Sequence, residues 1–176
     1  ALFHSLVLSS FEREAPYVLD GLLQNDVIKN SIHSTDTHGF TETIFAATHF
    51  LGVAFAPRIK GLGKQRIYAF SARETYEKRG YKILPSRTIN QKLIARHWND
   101  ILRFMVTIKL KHVTASQLFK RLSSYARSNP LYKALKEFGR IIKSTFILTY
   151  LHDVKLRQKI EKQLNRVELS NKFSNA

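Results

Sequence analysis

The sequence predicts an α/β protein that opens strand–helix–strand–helix–strand, continues through a basic stretch into a long helical region and ends in a C-terminal helix. Between Leu2 and Ile59, short apolar runs bounded by turn residues alternate with apolar positions at helical spacing, the pattern of parallel strands with covering helices. From Ile94 onward, apolar residues recur at steps of three and four, which marks helices with one buried face. A dense run of Lys and Arg separates the two regions.

The opening run Leu2-Phe3-His4-Ser5-Leu6-Val7-Leu8 is short, apolar and followed by polar residues, so it is expected as a buried strand. Pro16 stands where a first helical turn tolerates it, and Val18, Leu19, Leu22 and Leu23 then line one helical face. A second strand is expected around Ser31 to Thr35, ending at Asp36, with Thr37-His38-Gly39 as the turn. Thr41 suits the N-cap of a helix whose Ile44, Phe45, Thr48 and Leu51 face inward and which Gly52 ends. Val53 to Ile59 is expected as the third strand.

Arg66 to Phe70 still fits extended chain, whereas Ala72 to Arg87 is basic and is expected to be irregular and exposed. Ile94, Trp98, Ile101, Met105 and Ile108 then form one apolar stripe. Thr114-Ala115-Ser116-Gln117 has the spacing of a capping box, with Leu118, Leu122 and Tyr125 inward. Asn129-Pro130 breaks that helix, and the next carries Leu131, Leu135, Phe138, Ile142 and Phe146 on one side against Lys133, Lys136, Arg140 and Lys143 on the other. A last helix from Val154 to about Asn171 places Leu156, Ile160, Leu164 and Val167 inward with Glu168 at the flank. These elements divide the chain into an α/β part at 1–70, a mostly helical basic part at 71–153 and a last helix at 154–176.

Composition narrows the function classes. The chain has 176 residues, enough for one good core with an appended lobe. Without cysteine there are no disulfides and no thiolate metal sites, which favours a cytosolic setting. The longest nearly apolar stretch, Ile44 to Ala56, is too short for a membrane span of roughly 20 residues. No initiator Met, basic leader or cleavage signal opens the chain, so it is taken as cut from something longer.

The 29 Lys and Arg against 13 Asp and Glu give a net charge of +16, unevenly spread. Residues 1–40 hold Arg13 and Lys29 against Glu12, Glu14, Asp20, Asp26 and Asp36, while residues 57–176 hold 27 basic and 7 acidic side chains. An acidic block joined to a long basic one suits a protein that gathers divalent metal at one place and polyanion along another. Solubility alone is the plainer account of the same excess.

Asp36 is the leading acid, because a carboxylate at the C-terminal end of a parallel strand lies where open α/β sheets place ligands. An Asx-turn, with Asp36 accepting from the backbone near His38 or Gly39, accounts for the same residue structurally. His33 and His38 have no recognised metal-ligand spacing. Gly61-Leu62-Gly63-Lys64 is too short for a phosphate loop and is expected as a hairpin-like turn, and no G-x-S-x-G elbow occurs. The run Arg58, Lys60, Lys64, Arg66, Arg73, Lys78, Arg79, Lys82 and Arg87 could neutralise phosphates, and so could the Lys133 to Lys143 stripe. Tyr68, Phe70, Tyr76 and Tyr81 interleave with the first run, as stacking platforms or as packing residues.

Several motifs occur together in a fixed order. They are Glu14-Ala15-Pro16-Tyr17-Val18-Leu19-Asp20-Gly21-Leu22-Leu23, Ser34-Thr35-Asp36-Thr37-His38-Gly39-Phe40-Thr41, Leu51-Gly52 and Phe55-Ala56-Pro57-Arg58-Ile59. His97-Trp98-Asn99-Asp100-Ile101-Leu102-Arg103, Thr114 to Leu118 and Leu135-Lys136-Glu137-Phe138-Gly139-Arg140-Ile141 come next. From about Arg13 to Glu168 the chain thereby resembles the large replicative transposases of the Tn-3 type. The resemblance implies a partial ribonuclease-H-like core, with Asp, Asp and Glu binding two magnesium ions and a helical insertion between the second Asp and the Glu. It makes 1–70 a part of that core, 71–153 the insertion and 154–176 the returning helix of the core. Asp36 matches the second acid and Glu168 the third; Val167 stands where the family commonly has Gly. The first Asp belongs upstream of Ala1.

The same resemblance implies magnesium-dependent DNA strand cleavage and strand transfer. Also implied are transposon ends and target DNA as partners, self-association of the full-length enzyme, and a bacterial, cytoplasmic, nucleoid-associated setting without a membrane. With two acids of three, the 176-residue piece is expected to be inactive, with weak or no magnesium binding. Arg58, Lys133, Lys136, Arg140 and Lys143 are the expected DNA-backbone contacts, and the Asp36 and Glu168 carboxylates are expected to approach within reach of shared metals. The alternatives are a non-catalytic basic DNA-binding module or decayed remnant of such an enzyme, and a purely structural or protein-interaction domain.

Overall fold

The computed structural model describes residues 17, 19–21, 23, 34, 41–126 and 128–174, with residues 167, 168 and 170–174 described by their backbone alone. The expected strands at Leu2–Leu8 and most of Ser31–Thr35, together with Asp36, lie outside the described residues; Ser34 carries no regular secondary structure. Tyr17, Leu19, Asp20, Gly21 and Leu23 are helical, as the spacing after Pro16 predicts.

Seven further helices stand among the described residues: α1 (Glu42–Leu51), α2 (Arg73–Lys78), α3 (Gln91–Arg96), α4 (Trp98–Lys109), α5 (Ala115–Ser124), α6 (Pro130–His152) and α7 (Val154–Ser174). Two short strands, β1 (Tyr68–Ala69) and β2 (Arg87–Thr88), pair in parallel, Tyr68 with Arg87 and Ala69 with Thr88. The described chain is therefore a helix-rich α/β structure with a small parallel sheet.

Local chemistry sets most boundaries. Thr41 caps α1 by accepting from the Ile44 N–H at 3.4 Å, and Gly52, at φ 70°, closes it in the left-handed conformation that glycine adopts without steric cost. The Thr114 hydroxyl accepts from the Gln117 N–H and caps α5. Asp20, buried, adds a second cap to that helix: its carboxylate accepts from Ala115 N–H at 2.5 Å and Ser116 N–H at 3.2 Å. Asn129 caps α6 with Pro130 in the first turn, where a missing N–H costs nothing.

Five expectations need correction. Val53–Ile59 carries a single bridge residue, Phe55, in place of a strand; Pro57 there has no N–H to give a ladder. Gly61–Lys64 folds as a 3-10 turn at Leu62–Lys64 behind a left-handed Gly61, so it is no hairpin. The stretch 72–87 is exposed as expected but contains α2, held by an Arg73–Glu77 pair one turn apart. The stripe from Ile94 to Ile108 runs over two helices, because the chain turns at His97, whose Nδ1 lies 3.0 Å from the Asp100 carboxylate. Ile101, Met105 and Ile108 are buried, whereas Trp98 is displaced to a half-exposed aromatic group with Phe50 and Phe138. Tyr125, expected inward, is 71% exposed; as the residue that ends α5 it leaves the face on which Ala115, Phe119 and Leu122 are buried.

Helix α6 is the centre of the molecule, packed against α1, α3, α4, α5, α7 and β1. One core joins Leu19, Ile44, Ala46 and Ala47 to Ile101, Met105, Phe119 and Leu135. A second joins Ala56 and Ile59 to Ile147 and Tyr150 of α6 and to Ile160 and Leu164 of α7. The closest approach is between α6 and the start of α1, where Gly139 lies directly against the Glu42 carbonyl, so that a Cβ at 139 would run into that backbone oxygen. Gly139→Ala is expected to destabilise the chain by about 3 kcal/mol or more, since neither backbone segment can give way; urea unfolding of the two proteins measures it, and a change below about 1 kcal/mol contradicts the close approach.

Candidate functional site

Residues that the sequence assigns to chemistry fall into three places. Asp36 lies outside the described residues. Glu168 is a helical position of α7, its side chain likewise outside them. Among the described residues no group of three or more His, Asp or Glu could hold a metal ion.

The placement of α7 is fixed by described contacts. Asp153 ends α6 and accepts from the Leu156 N–H at 2.9 Å, capping α7. Arg157 reaches back to donate to the Tyr150 and Leu151 carbonyls at 2.6 and 2.7 Å, occupying the end of α6 where carbonyls lack helical partners. Ile160 and Leu164 then bury against Ala56 and Ile59. Among the described residues, two polar links add to the attachment. Arg58, only 17% exposed, lies 3.4 Å from the Glu161 carboxylate, and the Ser34 hydroxyl donates to Gln163 Oε1 at 3.1 Å. Ser34 is two residues before Asp36, and Gln163 five before Glu168.

The cations of α6 do not form the solvated face that the alternation predicts. Lys133 is exposed, but Arg140 pairs with Glu137 and stacks over the Tyr68 ring at 4.6 Å. Lys143 lies 3.4 Å from Glu42. A helix surrounded on most sides has no single back, so its charges are matched by local acids. Next to Arg140, the Ser144 hydroxyl accepts from Tyr68 N–H at 2.9 Å and ties β1 to the helix. Burial acts to raise the Glu42 carboxyl, but the Lys143 ammonium, a backbone hydrogen bond and Lys136 together hold it below its ordinary value of 4.5.

Exposed positive charge gathers elsewhere. Lys64, Arg66, Lys78, Arg79, Lys82 and Arg87 all stand on the surface of the segment between the 3-10 turn and β2, where Glu74 and Glu77 are the only acids. Of the interleaved aromatics, Tyr68 is buried beneath Arg140, and Phe70 and Tyr81 are 54% and 58% exposed.

Family comparison covers the whole chain. Residues 1–176 match the Tn3 transposase DDE domain. The chain belongs to that family. Over 177 aligned residues, the Tn3-family domain is 41% identical to the transposase for transposon Tn501 of Pseudomonas aeruginosa and 40% identical to that for transposon Tn21 of Escherichia coli; each alignment covers 100% of the chain and 18% of the relative. The transposase for transposon Tn1546 of Enterococcus faecium is 38% identical over 175 residues, again 18% of its length. The domain thus spans under a fifth of the curated relatives it matches. No solved structure matches it. No helix among the described residues is long and apolar enough to cross a membrane.

Sequence reasoning did not single out Ser34, Asp20, Glu161 or Gln163. Glu161 had one legible signal, since it precedes Glu168 by seven positions and so shares its side of the helix. Ser34 and Gln163 had none, being 129 residues apart.

For Glu42 the sign of the pH effect is fixed. A carboxyl held below its unfolded value stabilises the fold above about pH 4.5, and that contribution is lost as pH falls through the folded value. Glu42→Gln is therefore expected to flatten the acid limb of a stability-versus-pH curve below pH 4.5. An acid limb identical to that of the parent contradicts the Glu42–Lys143 pairing.

Proposed function

We propose that this domain supplies Asp36 and Glu168 as two of the three carboxylates of a DDE transposase that cleaves and joins DNA strands with magnesium. Residues 1–70 and 154–176 form its ribonuclease-H-like catalytic core, and 71–153 is the insertion between the two acids. The observation that carries the proposal is the Ser34–Gln163 hydrogen bond, which joins the chain two residues before Asp36 to the helix that contains position 168. Family membership supplies the reaction class, and the described geometry supports a return of α7 to the segment around residue 34.

Both acids suit the metal. Carboxylate oxygens are hard donors of the kind magnesium prefers, and Asp36 with Glu168 would hold it together with an aspartate from outside residues 1–176. Metal held by these carboxylates would supply activation of the attacking oxygen and charge stabilisation of the leaving one for an in-line displacement at phosphorus. Water attacks in strand cleavage and a DNA 3′-hydroxyl in strand transfer. With two acids of three, the 176-residue chain alone is inactive and binds magnesium weakly, and the full-length protein self-associates in the bacterial cytoplasm on paired transposon ends. In the full-length transposase, Asp36→Ala and Glu168→Ala are each expected to abolish nicking of transposon-end DNA while leaving metal-free DNA binding intact. Wild-type nicking by either variant rejects the assignment of that acid.

DNA backbone is held chiefly by the exposed cations between Lys64 and Arg87, joined by Lys133 and Lys136 of α6. Of the expected contacts, Arg58, Arg140 and Lys143 also face Glu161, Glu137 and Glu42, which leaves less of their charge for DNA. Each phosphate contact removed lowers the slope of log affinity against log salt by about 0.9 for duplex DNA. Replacing Lys64, Arg66 and Lys82 together by Ala is expected to flatten that slope by about 2–3 units, and Lys143→Ala to leave it unchanged. The opposite ranking, measured by fluorescence anisotropy, returns the contact to α6. A purely structural domain shows no change in either.

A further inference from the structure

We propose that Ser34 and Gln163 are positioning residues for the metal centre, forming a pin that fixes the register of α7 against the segment leading to Asp36. The proposal rests on the assignment of Asp36 and Glu168 as metal-binding acids. Beyond its joint with α6 at Asp153 and Arg157, α7 is held further along its length by two described kinds of contact, and they constrain different motions. Ile160 and Leu164 bury against Ala56 and Ile59 and set how deep the helix sits. Apolar packing is non-directional, so it resists lifting more than sliding or rotation about the axis. A hydrogen bond is directional and short-ranged, and Ser34 Oγ to Gln163 Oε1 at 3.1 Å supplies that restraint at a half-buried position.

The pin is well placed to act on the acids. Position 168 lies five residues beyond Gln163, about 7.5 Å along the axis, and Asp36 lies two beyond Ser34. Metal–carboxylate bonds for magnesium tolerate little departure from about 2.0–2.1 Å, so even a small rotation of α7 beyond its joint with α6 would misplace an acid carried on it. The Arg58–Glu161 pair cannot substitute for the pin. Glu161 is 48% exposed and its 3.4 Å contact is a loose one, so solvent weakens it. Supporting hydrogen bonds around metal ligands commonly account for about a 10–100-fold difference in metal affinity or activity, and the pin belongs at the lower end because it acts through the backbone.

The experiment uses the full-length transposase carrying Ser34→Ala, Gln163→Ala or the acceptor-retaining Gln163→Glu. Three quantities are measured: Mn2+ binding by loss of the free-ion EPR signal, the divalent-ion midpoint of end-DNA nicking, and thermal unfolding. The alanine variants are expected to weaken Mn2+ binding and raise the nicking midpoint about 10-fold, with Tm within a degree or two of the parent, and Gln163→Glu to stay near the parent in all three. Unchanged Mn2+ binding and midpoint in both alanine variants overturn the pin. So does a loss of rate at every metal concentration that tracks a lowered Tm, since that is the mark of a merely structural contact. If Asp36→Ala and Glu168→Ala nick DNA normally, the assignment of the acids fails first; if they are dead and the alanine variants are unaffected, the pin alone fails.

Discussion

The contact between Gly139 and the Glu42 carbonyl is the constraint on which the described structure depends. Because residue 139 has no Cβ, the backbone of α6 can lie against the first turn of α1. That approach lets Ala134 and Leu135 of α6 enter the same core as Ala46 and Ala47 of α1, a contact made largely of small side chains. It also carries Lys143 to Glu42 and Arg140 onto the Tyr68 ring of the small sheet. A helix first legible as the cationic wall of the molecule thus becomes its trunk.

Around that trunk the chain is arranged in two directions. The N-terminal half of α6 gathers α1, α4 and α5, with Asp20 clamping the start of α5 from a distant point in the sequence. Its C-terminal half gathers Ala56, Ile59 and α7. The segment from Lys64 to Arg87 has Glu74 and Glu77 as its only acids, and most of its positive charge is left to solvent or to a polyanion. On α6, by contrast, Arg140 and Lys143 meet Glu137 and Glu42.

Much of this was legible in residue order, and what was not has physical reasons. Caps were readable because they are local: Thr41, Gly52, Thr114 and Asn129 each act within four residues of their own position. Burial along α5 was misread at Tyr125 because the helix ends there, and periodicity has no force past its last turn. Alternation along α6 reports two faces, but the helix is enclosed on most sides, so Arg140 and Lys143 meet Glu137 and Glu42 and Lys133 alone of the four stripe cations is exposed. Ordered motifs revealed the family before any coordinates did, but the Ser34–Gln163 and Asp20–Ala115 contacts join residues 129 and 95 positions apart, and no local pattern announces them.

One consequence lies in the corner between α6 and α7. Asp153 begins the second helix where it ends the first, and the Arg157 guanidinium grips the two carbonyls just before the bend. Such a joint behaves more as a bracket than as a hinge: swinging the terminal helix tears two charge-assisted bonds from the trunk. The trunk and its last helix are therefore biased to travel as one body.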